Sequence, residues 1–356
     1  MSVGADPEIG EIREELDWTA LDTYVRDHLP VDGELAVRQF PNGSANLTYL
    51  VSYGEWRAVL RRRPFGTIAP GAHDMAREHR VLTGLSQVFD RAPATYLWCD
   101  DTSVIGAPFF LMEYRADGEV VRDRVPASMD GLADVGERLS RSFASAVADL
   151  HTVDPDAAGL GDLGRPDGFV TRQLASWTRR WDAVRSTDRD LCRTMDELAE
   201  RLAAALPEPQ RVALVHSDLK LDNCQFQRGD PDRVVSIFDW DMTTLGDPLL
   251  DLGVMLNYWP DDGPSGEVAR QLWPGQDAMG LRSRSWITAV YAETVGLELD
   301  RLSWYESMAA WKTAIQLQQL AARFERGETT DRRMAHYATV VPVAAQMASD
   351  ILTREG

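Results

Sequence analysis

The sequence predicts an α+β fold in two lobes, and three features predict it. Alternating apolar residues broken by two tight turns fill 34–60, an apolar period of helical spacing follows at 75–85, and helical patterning dominates beyond Gly118. The expected organisation is a helical extension at 1–33, an antiparallel five-stranded lobe with one helix at 34–114, and a larger, mainly helical lobe at 115–356.

The elements follow in order. Leu35, Val37 and Gln39 alternate with their neighbours, Asn42-Gly43 supplies a turn, and Leu47, Tyr49 and Val51 alternate again. Gly54-Glu55 makes the second turn before Trp56, Ala58 and Leu60. After a polar loop, Met75, His79, Leu82 and Leu85 share one face of a helix. The segments 95–99 and 108–114 complete five strands, with a hinge expected near 114–118. Helical patterns then run over 132–151, 169–181, 188–205 and 304–324, and Pro207-Glu208-Pro209 stops the third of these.

Composition narrows the function classes. A net charge of −19, from 37 Lys+Arg against 56 Asp+Glu, disfavours binding to nucleic acid or an anionic membrane. Cys99, Cys192 and Cys224 have no metal-ligand spacing and cannot all pair, so they read as reduced thiols. The first residues lack a basic-then-apolar signal, and no apolar run approaches the ~20 residues of a membrane span. These features lead to an expected cytoplasmic location.

The chemistry concentrates in one stretch. An apolar strand, Val212-Ala213-Leu214-Val215, leads into His216-Ser217-Asp218-Leu219-Lys220-Leu221-Asp222-Asn223. A second strand closes on Phe238-Asp239-Trp240-Asp241. The H-x-D-x-x-x-x-N spacing after a strand, with an Asp at the end of a later strand, resembles the kinase catalytic loop and its metal-binding segment. Gly246-Asp247-Pro248-Leu249-Leu250-Asp251-Leu252-Gly253 and Leu150-His151-Thr152-Val153-Asp154 extend the resemblance. Together they are similar to the aminoglycoside phosphotransferase and choline kinase-like family, a branch of the protein-kinase-like fold. Within it the chain resembles bacterial proteins similar to the kinase-like domain of acyl-CoA dehydrogenase fusion proteins. Only four residues separate Asp241 from Gly246, which leaves no room for a long activation loop and argues for a small-molecule kinase.

The resemblance implies a set of roles. Asp218 would orient and deprotonate the attacking hydroxyl, and Asn223 and Asp239 would hold Mg²⁺ on the phosphates of ATP or GTP. Alone, Asp218 could equally cap a turn. Lys220 is a catalytic candidate that could offset charge on the transferring phosphate, or a solvated lysine. His216, Asp247 and Asp251 read as structural, the two aspartates capping the next helix and fixing the loop. Gly43, Ser44 and Asn46 would cover the phosphates. Arg61 stands where the fold usually keeps a lysine; it departs from the pattern, as do Ser217 and Trp240. Glu78 is its expected helix partner, and the Glu113-Tyr114 backbone would meet the adenine edge.

The expected partner is a small-molecule hydroxyl acceptor, and the residues set no oligomeric state. An aminoglycoside acceptor would need acids such as Asp261, Asp262, Glu267, Glu293, Glu298 and Asp300. A hydroxylated acyl or other apolar metabolite would instead use aromatic residues such as Tyr258, Trp259, Trp273, Trp286, Trp304 and Trp311. Arg61 keeps open a third reading, a nucleotide-binding pseudokinase.

Overall fold

The computed structural model describes residues 9–40, 46–65, 74–329 and 331–354. They pack as two compact units, 1–117 with 235–243, and 118–234 with 244–356.

In the first unit, β1 (Leu35–Gln39), β2 (Leu47–Tyr53), β3 (Trp56–Arg62), β4 (Thr95–Cys99) and β5 (Phe109–Glu113) form one antiparallel sheet in the order β1-β2-β3-β5-β4. Helix α1 (Trp18–His28) starts at Asp17, whose side chain accepts from the Ala20 amide. Its Leu21 and Val25 join Tyr49, Val51, Ala58, Leu60 and Leu111 in one buried cluster. Because successive strand residues point to opposite faces, Leu60 in that cluster places Arg61 on the other face. There it meets Glu78 of α2 (Met75–Leu85), so the two helices cover opposite faces of the sheet. A one-turn helix, α3 (Thr102–Ile105), joins β4 to β5. The 1–33 segment, expected as an extension, therefore contributes its helix to the core of this unit.

The second unit begins with β6 (Gly118–Val120), then α4 (Val135–Thr152), α5 (Phe169–Asp182) and α6 (Arg189–Ala204). Strands β7 (Ala213–Val215), β8 (Cys224–Gln227), β9 (Asp230–Ile237) and β10 (Thr244–Gly246) follow. They make two small sheets, β10-β7 and β6-β8-β9, and the last three residues of β9, 235–237, belong to the first unit. The remainder is helical: α7 (Pro248–Asn257), α8 (Glu267–Leu272), α9 (Arg284–Val295), α10 (Leu302–Glu325) and α11 (Arg332–Thr353).

Two residues of the Gly-Asp-Pro segment explain how α7 is seated. Asp247 caps its first turn through the Leu249 amide at 3.0 Å and accepts from the Tyr305 hydroxyl at 2.6 Å. Gly253 lets α7 approach α10 closely, since a Cβ there would lie 2.5 Å from the Tyr305 carbonyl oxygen. Cys99 and Cys224 are buried thiols, and Cys192 is part-buried. Among the described residues no helix is long and apolar enough to cross a membrane.

Candidate active site

The expected residues fall into two sets, one in each unit. In the first, Arg61 is almost fully buried near the end of β3. Its Nε lies 3.1 Å from the Glu78 carboxylate and its Nη2 lies 2.8 Å from Asp239 Oδ1. Strand alternation selects Arg61 for this contact, while Arg62 on the opposite face lies over the Phe65 ring. Burial works against the Arg61 charge, but Glu78, Asp239 and Asp241 outweigh it and hold the guanidinium cationic. Burial pushes the Glu78 carboxyl up, Arg61 opposes that shift, and Asp239 and Asp241 add to it.

Asp239 sits at a turn with φ +72°, a left-handed conformation that costs a non-glycine residue about 1 kcal/mol or more. The next residue holds that turn. Trp240 is fully buried, donates its indole N–H to the Ile237 carbonyl at 2.8 Å, and meets Phe89 edge-on. Arg77 of α2 donates to the Thr243 carbonyl through Nε at 3.0 Å and Nη2 at 2.6 Å, and Arg115 donates to the Val235 carbonyl. The segment 235–243 is thus tied to the first unit at both ends.

Asn46 is buried just before β2. Gly43 and Ser44 lie outside the described residues. At the end of β5 the Glu113 amide is spent on the Ala94 carbonyl at 2.8 Å, and its carboxylate accepts from Ala94 and Arg115. Tyr114 lies beneath the Arg57 guanidinium, 5.2 Å from the ring centre.

In the second unit, β7 delivers His216, Ser217 and Asp218 in succession. The Asp218 carboxylate accepts from Lys220 Nζ at 2.7 Å and from Asn223 Nδ2 at 3.0 Å; the same Nδ2 also donates to the Asp218 carbonyl at 2.8 Å. With Nδ2 so engaged, Oδ1 is the Asn223 atom whose lone pairs suit a cation. Lys220 is part-buried and ion-paired rather than solvated. Burial works against its ammonium, but Asp218, Asp222 and Tyr258 raise its pKa, and its Nζ lies 5.7 Å from the Tyr258 ring centre.

The loop is held from behind. Asp251 of α7 accepts from the backbone amides of His216 and Ser217, the latter at 2.7 Å. His151 of α4 lies 3.2 Å from the same carboxylate and 2.8 Å from the Tyr291 hydroxyl. Burial opposes ionisation of Asp251, but His151, His216 and the His216 amide outweigh it and lower its pKa. The His216 Nδ1 accepts from the Asp218 amide at 3.3 Å, which assigns the proton of a neutral ring to Nε2.

Three residues near Asp218 carry no motif. Tyr258 ends α7, Thr313 lies on α10 within 3.5 Å of its hydroxyl, and Lys312 donates to the Ser217 carbonyl at 2.8 Å. The signal for Lys312 was a cation in the middle of the 304–324 helical pattern, within the mostly apolar run 308–315, where a buried ammonium requires a partner. The aromatic candidates divide. Trp259, Trp304 and Trp311 belong to the core, each donating its indole N–H to a main-chain carbonyl, while Tyr258 and Trp273 pack edge-on. Among the acids, Glu267 is paired with Arg270.

Residues 36–279 match the model of the phosphotransferase enzyme family, and the chain belongs to that family. It is 30% identical over 99% of its length to acyl-CoA dehydrogenase family member 11 of Gallus gallus, covering 46% of that protein. The chain spans about a third to a half of the length of the curated relatives it matches. A candidate aminoglycoside phosphotransferase of Ralstonia eutropha is 27% identical, with a TM-score of 0.77 over 96% of this chain and 99% of that one. The aminoglycoside phosphotransferase APH(4)-Ia, as a thermostable mutant in ternary complex with AMP-PNP and hygromycin B, shares the fold at 14% identity. Its TM-score is 0.59 over 94% of this chain and 98% of that one. The fold is protein-kinase-like and the chain is a phosphotransferase.

Proposed function

We propose that the chain transfers the γ-phosphoryl of ATP or GTP to a hydroxyl of a small molecule, with Asp218 accepting the hydroxyl proton. The observation that carries this reading is the seating of Asp218. Its backbone is pinned through the His216-Ser217 amides, and its carboxylate is oriented by Asn223 Nδ2 and Lys220 Nζ. A carboxylate so fixed can hold a hydroxyl in line and take its proton late in the transfer, which is most of what this reaction asks of a protein. Lys220 would place positive charge beside the transferring phosphoryl.

By donor type alone, one residue of each unit would suit a divalent cation bound with the nucleotide phosphates. Asp239 offers a part-exposed carboxylate and Asn223 a neutral amide oxygen, the hard ligands Mg²⁺ prefers. When bound, Mg²⁺ would neutralise charge on the phosphate oxygens. Arg61, oriented by Glu78, would contact the phosphates as the usual lysine does, and the Asn46 region with Gly43 and Ser44 would cover them. The Glu113-Tyr114 backbone would meet the base through groups other than the Glu113 amide. The AMP-PNP complex of the structural relative supports ATP as donor.

For the acceptor, two ammonium groups close to Asp218 favour a neutral or anionic hydroxyl compound over a polycationic aminoglycoside. The acyl-CoA dehydrogenase names of the relatives support a hydroxylated acyl compound. The pseudokinase reading rests on Arg61 alone, and Arg61 makes an ion pair with the helix acid. Phosphoryl transfer from Mg-ATP and Mg-GTP to aminoglycosides, amino alcohols and hydroxyacyl compounds tests all three. Transfer only to aminoglycosides would reject the acceptor assignment, and nucleotide binding without any transfer would favour the pseudokinase.

A further inference from the structure

Ser217 precedes Asp218 at φ +73°, the left-handed region in which a residue with a Cβ is strained. A strained peptide of this kind relaxes unless its surroundings hold it. Its amide side is accounted for, because the Ser217 N–H donates to Asp251 Oδ1 at 2.7 Å. Its carbonyl side is held from α10, where Lys312 Nζ donates to the Ser217 carbonyl oxygen at 2.8 Å. The peptide joining Ser217 to Asp218 is fixed at both polar ends, since the Asp218 amide donates to His216 Nδ1 at 3.3 Å.

We infer that Lys312 is a positioning residue for Asp218: its ammonium fixes the Ser217–Asp218 peptide plane and thereby the direction in which the Asp218 carboxylate points. The inference rests on the reading of Asp218 as the base. Lys312 is well suited to the task. Its Nζ lies 5.4 Å from the centre of the Trp177 ring on α5, so the ammonium has an aromatic face as well as a carbonyl partner. Asn257 donates to the Thr313 hydroxyl at 2.9 Å, which ties α7, the helix that supplies Asp251, to the residue following Lys312. The loop is thus gripped on its N–H side by α7 and on its C=O side by α10. Burial lowers the Lys312 pKa, and Asp218 and Asp251 oppose that shift. A neutral, unbranched side chain such as methionine would remove the grip on the carbonyl.

The test compares wild type, Lys312→Met, Lys312→Arg and Asp218→Asn in phosphate release from Mg-ATP with water as acceptor. Each protein's melting temperature is measured alongside, and Lys312→Met is crystallised. The expected result is a kcat lower by about 100-fold in Lys312→Met, with KM for Mg-ATP within about threefold of wild type and partial recovery in Lys312→Arg. In the crystal, the Ser217 carbonyl should turn away from its present direction and the Asp218 carboxylate should shift. A Lys312→Met enzyme with wild-type kcat, or a crystal with the loop unmoved, would overturn the inference. So would parallel loss of kcat, KM and melting temperature without recovery in Lys312→Arg, because that pattern belongs to packing alone. Undiminished turnover in Asp218→Asn would instead defeat the base assignment itself, whatever Lys312 does.

Discussion

At the scale of single residues, the account turns on Asp218 and on the buried aspartate behind it. Asp218→Asn keeps the shape and most hydrogen bonds but removes the proton acceptor. Turnover should fall about 10²- to 10⁴-fold while nucleotide affinity stays close to wild type, as read by steady-state kinetics and calorimetry. Asp251 has a different role. It accepts from two backbone amides and lies against His151, and it touches no reacting group in this reading. Asp251→Asn must turn an NH₂ toward one of those amides, so a loss of roughly 2–4 kcal/mol in urea unfolding is expected. Its pKa is held below the ordinary 3.8, so its stabilisation is present above that pH and is lost as pH falls below it. The wild type should therefore lose stability on acidification below about pH 4 more steeply than Asp251→Asn. Parallel pH profiles of melting temperature would contradict this.

At the scale of elements, the turn carrying Asp239 depends on Trp240. With the indole donated to Ile237 and packed on Phe89, Trp240→Ala should cost about 3–5 kcal/mol. It should also weaken nucleotide binding, which a conservative Trp240→Phe would largely spare. This is also the scale at which the sequence was most and least legible. The five strands and α2 could be read because alternation and a helical period are local properties of the chain. The sheet order, with β5 between β3 and β4, could not, because strand pairing is set by tertiary packing. Arg61 was legible from alternation together with the acid on α2. Lys312 was not, because the carbonyl it binds lies 95 residues away in sequence. The association of 235–243 with the first unit escaped for a related reason. It is built from contacts of Arg77 and Arg115 with main-chain carbonyls, and carbonyls leave no mark in a sequence.

At the scale of the whole molecule, the family fixes phosphoryl transfer and the local chemistry bears on the acceptor. On the proposed reading the two lysines near Asp218 disfavour a cationic acceptor, so Lys220→Glu should abolish transfer to an anionic or neutral substrate rather than improve it. The central claim is that Asp218 serves a phosphoryl transfer to a small-molecule hydroxyl. The most direct measurement is phosphorylation of the acceptor panel from Mg-ATP by wild type and Asp218→Asn, with product identified by mass spectrometry. The account predicts one phosphorylated class, outside the aminoglycosides, formed by wild type and lost in the variant. Equal product from Asp218→Asn would contradict it.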